Sequence, residues 1–263
     1  MVIKIAPRIR SEIMDYGLIL LVGIIGFISG LASGFFGIGG GSIRIPLLNL
    51  IGFSIIASYG INLMTLPVSS LIGAVSQRKN IDIKLGTHMI IGGSIGTVIG
   101  TLIAFSLSTS ALVLAILFLI VSLVSVIGMN LNHIATEASQ KLKASFFGLF
   151  FTSLAANILT GMRGGSEGSL FVPILRVFNV EMHKAIATAL FAAIFTSLAG
   201  LLLYWNQQEL LLIEGLVVLT TAAIGSRIGS FFSLTTKPRW LEIGLTIIIV
   251  ILAGFPLLKI LWV

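Results

Sequence analysis

GFFGIGGGSIRIP (Gly34–Pro46) and GMRGGSEGSLFVP (Gly161–Pro173) are the two stretches on which the fold of this chain turns. Both lie between long apolar runs. Clustered glycine loosens a helix, and proline cannot donate the next backbone bond, so each string predicts a helix broken at membrane depth. Unwound backbone there must be buried in protein or line a wet cavity. Its free N–H groups, together with the N-terminus of the helix that follows, suit an anion. Paired interruptions at matching positions are the sequence mark of a transporter's binding site.

The match extends well beyond the strings. Shifted by 127 residues, Gly34, Gly37, Gly41, Ser42, Pro46 and Leu48 fall on Gly161, Gly164, Gly168, Ser169, Pro173 and Leu175. Leu63, Ser70, Leu71 and Gly73 fall on Leu190, Ser197, Leu198 and Gly200, and, two residues later in register, Gly96 and Gly100 on Gly225 and Gly229. Apolar composition produces chance matches of Leu with Leu, but not an ordered string of Gly, Ser and Pro. The sequence therefore predicts a duplicated unit.

Composition agrees with a membrane setting. Of 263 residues, 57% are apolar and 10% charged, and the mean hydropathy is +1.13. Soluble domains carry about 25% charged residues. This excludes a water-soluble enzyme, a disordered chain and a nucleic-acid binder; the 16 Lys and Arg are dispersed along the chain. With no Cys and three scattered His, neither a thiolate centre nor a metal site is expected, and no cofactor is implied. Asp occurs only at positions 15 and 82, which argues against an aspartyl dyad, and no GxxxxGK[ST] string is present, so an enzyme is not expected.

A crossing helix needs about 20 apolar residues. Stretches 16–36, 55–76, 85–107, 111–130, 144–161 and 185–205 approach that length without charge, while 210–234 and 240–262 carry isolated charges. Segments 43–53 and 168–180 are too short and fit re-entrant pieces. The expectation is an all-α polytopic membrane protein of about eight transmembrane helices, from two repeats of about four, each with a Gly-rich broken or re-entrant helix. Residues 1–130 form the first repeat, 131–143 a polar loop and 144–263 the second repeat. The first apolar run is too long for a signal-peptide core and leads straight into the glycine string.

Counted this way, nine Lys and Arg fall on the side of the N-terminus, among them Arg78, Lys79 and Lys84, and three on the other. That predicts a cytoplasmic N-terminus in the cell membrane. Four spans per half would make the repeats parallel. Lys237 and Arg239 dissent by falling outside, a local bias that an inverted second repeat would show.

The GxxGxGGGxxxxPxL pattern at Gly34–Leu48, its echo at Gly161–Leu175 and the following Ala187-Thr188-Ala189-Leu190 resemble the sulfite exporter TauE/SafE family of membrane permeases. The resemblance covers nearly the whole chain. It implies movement of small sulfur-containing anions such as sulfite, sulfoacetate or other organosulfonates. The second string departs from the pattern, with Ser166 and Glu167 where the first has Gly39 and Gly40.

The candidate substrate-binding residues follow from the two strings and their polar neighbours. They are Gly37, Gly39, Gly40, Gly41, Ser42 and Arg44 in the first half, and Arg163, Gly164, Gly165, Ser166, Gly168 and Ser169 in the second. Arg44 and Arg163 offer the donor fork that suits a three-oxygen anion, or else reach to the headgroups. Asn62, Asn157 and Thr188 stand in apolar spans as substrate contacts or as interhelical hydrogen bonds. Glu167 is a candidate proton carrier or a partner of Arg163, and the coupling ion is a proton or sodium. Arg227 is expected to face the bundle. The ladders Gly26-Gly30-Gly34 and Gly92-Gly96-Gly100 read as packing faces. The expected function is secondary transport of a small anion; the alternative is an anion channel with the glycine strings as its filter.

Overall fold

The computed structural model describes residues 16–106, 127, 144–162, 168–206 and 211–261. The expected span at 111–130 (Ile127 apart), the loop 131–143 and the segment Arg163–Glu167 lie outside the described residues. Among the described residues are nine α-helices and no strand. They are α1 (Tyr16–Phe36), α2 (Gly41–Leu50), α3 (Ile55–Ser76), α4 (Ile83–Ser106), α5 (Phe146–Gly161), α6 (Gly168–Val177), α7 (Met182–Asn206), α8 (Leu212–Thr235) and α9 (Pro238–Leu261). Five of them, α1, α3, α4, α7 and α8, are long and apolar enough to cross a membrane. The chain is a multi-pass helical membrane protein.

Helix starts follow ordinary capping chemistry. Ser54 accepts from Ala57 N at 3.1 Å to open α3, Ser145 from Gly148 N at 3.1 Å to open α5, and Asp82 Oδ1 from Leu85 N at 3.1 Å to open α4. Pro46 and Pro173 lie inside α2 and α6 rather than ending them. The expectation that glycine and proline together break the helix is thus corrected for the first string: Gly37, Gly39 and Gly40 carry the break, with φ of 74°, 70° and 77°. Left-handed backbone of this kind is open to glycine without the Cβ penalty.

Glycine also sets the two closest helix seams. On α1, a Cβ on Gly26 would lie 2.9 Å from the Val218 carbonyl, and Cβ atoms on Gly30 and Gly34 would strike backbone at Ala222 and Ser226. From α8, Gly225 and Gly229 return the contact to Phe27 and Leu31. The other seam joins α4 to α5, with Gly92, Gly96 and Gly100 against Phe150, Leu154 and Ile158. Lipid gives little hydrophobic drive to helix association, so close backbone approach and dispersion hold these pairs.

The contacts also fix direction. Gly26 meets Val218 and Gly34 meets Ser230, so α1 and α8 run parallel. Val22, Ile25 and Ile61 share one cluster while Gln77 bonds Gly34, so α3 runs with them. Gly200 meets Leu63 and Gly73 meets Leu190, which sets α7 antiparallel to α3. Thr196 beside Gly93 puts α4 parallel to α7, and Gly92 beside Phe150 puts α5 parallel to α4. Hence α1 and α5 run in opposite directions. The reason lies in the short helices. Leu48 packs with Val22, and Phe178 with Gly148, so α2 and α6 each return toward the end where the preceding helix began. A span count that treats them as non-crossing misses this reversal.

The reversal relocates charge. Arg78, Lys79 and Lys84 stand at the end of the bundle opposite Tyr16, not on the N-terminal side that span counting predicts. Arg176, Lys184, Lys237 and Arg239 join them there, at the close of α6 and the starts of α7 and α9.

Candidate anion site at the broken helix

Arg44 is the fourth residue of α2 and has 0% of its surface exposed. Its guanidinium reaches two neighbouring helices. Nε donates to Ser29 Oγ on α1 at 3.1 Å, and Nη1 donates to Asn62 Oδ1 on α3 at 2.8 Å. Nη2 has no hydrogen-bond partner. Ser29 in turn donates to the Gly26 carbonyl at 3.0 Å.

The left-handed glycines let the backbone fold tightly around this group. A Cβ on Gly40 would lie 2.5 Å from Ser29 O and 3.0 Å from Arg44 Nη2, and one on Gly41 would lie 2.7 Å from Asn62 Oδ1. Gly37 packs against Val172 of α6 and Ile186 of α7, each 3.1 Å from its notional Cβ. The first break therefore sits against the helix that follows the second string. Ser42, in the first turn of α2, is buried beside them.

Among the described residues the ion pairs are Arg176–Glu242 at 2.9 Å and Lys184–Asp82 at 2.8 Å, and neither involves Arg44. Its charge is held in the interior by neutral oxygens. Burying an ion without a counter-charge costs several kcal/mol even after relaxation. An anion seated at Nη2 would supply the counter-charge and take a charge-assisted hydrogen bond.

The other sequence candidates are distributed differently. Asn157 lies in the α4–α5 seam, where Nδ2 donates to Ser153 O at 2.8 Å and Oδ1 accepts from Thr97 Oγ1 at 3.2 Å. Thr188 Oγ1 accepts from Asp82 N at 3.0 Å and ties α7 to the start of α4. Neither joins the Arg44 cluster. Gly168 and Ser169 open α6, while Arg163, Gly164, Gly165, Ser166 and Glu167 lie outside the described residues. Arg227 corrects an expectation: instead of facing the bundle it is exposed and donates to Ser76 Oγ, at the C-terminal end of α3, at 2.8 Å. A long side chain close to a helix end reaches the interface at little cost.

One participant is not apparent from the sequence, Ser29. A serine in an apolar span ordinarily bonds back to its own helix, so Ser29 carried no distinguishing mark. The available signal was Ser29-Ser33, a pair four residues apart running one position before the glycine ladder. Outside the spans, burial pushes the Asp82 carboxyl up. The hydrogen bond and charge of Lys184, with the backbone N–H groups of Leu85 and Lys84, outweigh it and hold the acid below its usual range.

A model of the sulfite exporter TauE/SafE family matches residues 22–255 of this chain. No curated protein and no solved structure matches it.

Proposed function

Because the chain belongs to the sulfite exporter TauE/SafE family, we propose that it is a secondary transporter that exports small sulfur-containing anions, sulfite or an organosulfonate, through the site at Arg44. The single observation that carries this reading is the buried Arg44 guanidinium, held by Ser29 and Asn62 with Nη2 unpartnered beside left-handed glycine backbone. Arginine's planar fork suits two oxygens of such an anion, and the small side chains around it leave selection to size and charge.

The proposed architecture has eight spans in two inverted repeats, residues 1–130 and 144–263, joined by 131–143. In support, α2 and α6 are both ten residues long and begin 127 residues apart, and α4 and α8 both have 24 residues. The α1–α8 seam is mirrored by the α4–α5 seam. Inverted repeats with paired broken helices are a common basis for alternating access.

In the cell membrane we place the end bearing Arg78 and Lys79 in the cytoplasm, since cytoplasmic loops collect Lys and Arg. This reverses the N-terminal orientation expected from span counting.

The test is flux in proteoliposomes. Labelled sulfite should exchange against internal sulfite, with sulfoacetate, taurine and sulfate as competitors, and Arg44→Gln should abolish exchange in protein that still folds. Exchange unaffected by Arg44→Gln would sink the reading. Dissipation of a gradient without counterflow would favour a channel.

A further inference from the structure

At the far end of α1 a second set of buried polar groups has oxygens without partners. Gln77, just after α3, is 1% exposed, and its Nε2 donates to the Gly34 carbonyl at 2.9 Å. Its Oε1 has no partner. Ser230 Oγ on α8 also reaches the Gly34 carbonyl, at 3.4 Å. Ser33 Oγ, next to Gly34, and Ser233 Oγ, one turn beyond Ser230, are buried without partners as well. Ser33 on α1, Gln77 after α3 and Ser233 on α8 thus each carry an orphaned oxygen near the end of α1, where Gln77 and Ser230 both bond the Gly34 carbonyl. A buried polar atom left unpaired costs about 1–3 kcal/mol, so three near one turn favour a further polar partner there.

The sign of that ligand follows from the surroundings. A helix C-terminus presents carbonyl oxygens and partial negative charge, which favours a cation and opposes an anion. The nearby Arg227 is turned outward to Ser76 and brings no donor inward. No carboxylate pairs with these groups among the described residues. Divalent ions usually draw on carboxylates or phosphates, whereas carbonyl and hydroxyl oxygens at a helix C-terminus suit a sodium-sized ion.

We propose that Gln77, Ser33 and Ser233, at the C-terminal turn of α1, form a monovalent-cation site that couples to anion movement at Arg44; the coupling rests on the transport reading above, the site does not. Ser33 lies one turn from Ser29, the Arg44 partner, which is about 5.4 Å along the axis. With Arg44 unneutralised, its charge repels a cation so placed. An anion on Arg44 removes the repulsion, so each ion raises the other's affinity. The inverted counterpart is incomplete. Thr160 has an orphaned hydroxyl and Thr101 reaches the Gly161 carbonyl at 3.4 Å, but Tyr204 stands where the first half has Gln77 and offers no amide oxygen.

The experiment is thermal unfolding of the purified full chain in detergent, without sulfur anions, in sodium, potassium or choline chloride at equal concentration. Sodium should raise the melting temperature saturably over choline. Gln77→Glu should lower the half-saturating sodium about tenfold by adding ligand charge. Ser33→Ala should raise it about tenfold yet melt no lower than the parent in choline, because it removes an orphaned hydroxyl. Identical melting in all three salts would overturn the site and leave buried water as the partner of these oxygens. So would a Ser33→Ala loss of equal size in sodium and choline. Sodium stabilisation without sulfite flux would keep the site and discard the transport reading; flux with no sodium effect would do the reverse.

Discussion

Arg44 and Asn62 are joined by a 2.8 Å hydrogen bond between two side chains withdrawn from solvent, one on the broken-helix segment and one on a long span. The acceptor is an amide and not a carboxylate. A guanidinium held this way is fixed in position but keeps its charge uncompensated, which is what an anion site needs and what a structural ion pair would forfeit.

Asn62→Asp tests that distinction. The change keeps side-chain size and places a carboxylate at the same bond. The expected outcome is a higher melting temperature without substrate, since a buried cation gains a counter-ion, together with at least a tenfold loss of sulfite affinity, about 1.4 kcal/mol. Thermal melts and binding isotherms on the same preparations check both. Unchanged affinity would mean the anion does not meet Arg44.

A second prediction concerns the glycine seams. A Cβ on Gly30 would strike the backbone of Ala222, whereas one on Gly23 meets only side-chain methyls of Thr221 at 3.6 Å and Val217 at 3.7 Å. Backbone cannot yield as a methyl can. Gly30→Ala should destabilise by about 1–3 kcal/mol as overpacking does, while Gly23→Ala should be neutral or stabilising by up to about 1 kcal/mol through helix propensity. Equal melting temperatures would show that α1 and α8 do not pack along this face.

These glycines also mark what could be read from sequence. Spacing of four identified the packing faces of α1 and α4 because small residues on one face have a single geometric use. The positions of α2 and α6 were legible for a similar reason: the glycine strings and the short apolar lengths after them left room for half a crossing. Direction was not legible. Hydropathy is the same whichever way a helix runs, and only contacts such as Gly200 with Leu63 reveal the reversal made by α2 and α6. Arg44 stands out in the sequence as a charge in an apolar run. Its hydrogen-bond partner Ser29 and, apart from it, the orphaned Gln77 oxygen do not, since serine in a span and glutamine at a span end are commonplace.

The Asp82–Lys184 pair predicts a pH dependence. Lys184 holds Asp82 below its usual range, so the pair's contribution is present above the unfolded-state value, near 3.9, and fades as pH falls through the lower folded-state value. Lys184→Met should therefore be less stable than the parent at pH 6, with the gap closing below about pH 3.9. Lys184 is 45% exposed, so the gap will be small. Chemical unfolding at both pH values measures it, and a gap that persists in acid would assign the effect to packing.

The last prediction fixes orientation. Lys79 follows α3 and Asn206 ends α7; the Gly200–Leu63 and Gly73–Leu190 contacts set these helices antiparallel, so Asn206 lies at the end where α3 begins, opposite Lys79. The chain has no cysteine, so a single introduced thiol reports its own side of the membrane without background. Lys79→Cys should react with a membrane-impermeant maleimide only from the cytoplasmic side, and Asn206→Cys only from outside, because Arg78, Lys84, Arg176, Lys184, Lys237 and Arg239 all share the end of Lys79. Crossing a membrane against that distribution would translocate the cationic end, which the positive-inside bias disfavours. If both thiols react from one side, the antiparallel arrangement of α3 and α7 is wrong. If the two labels exchange sides, the helix directions stand and the N-terminus returns to the cytoplasm.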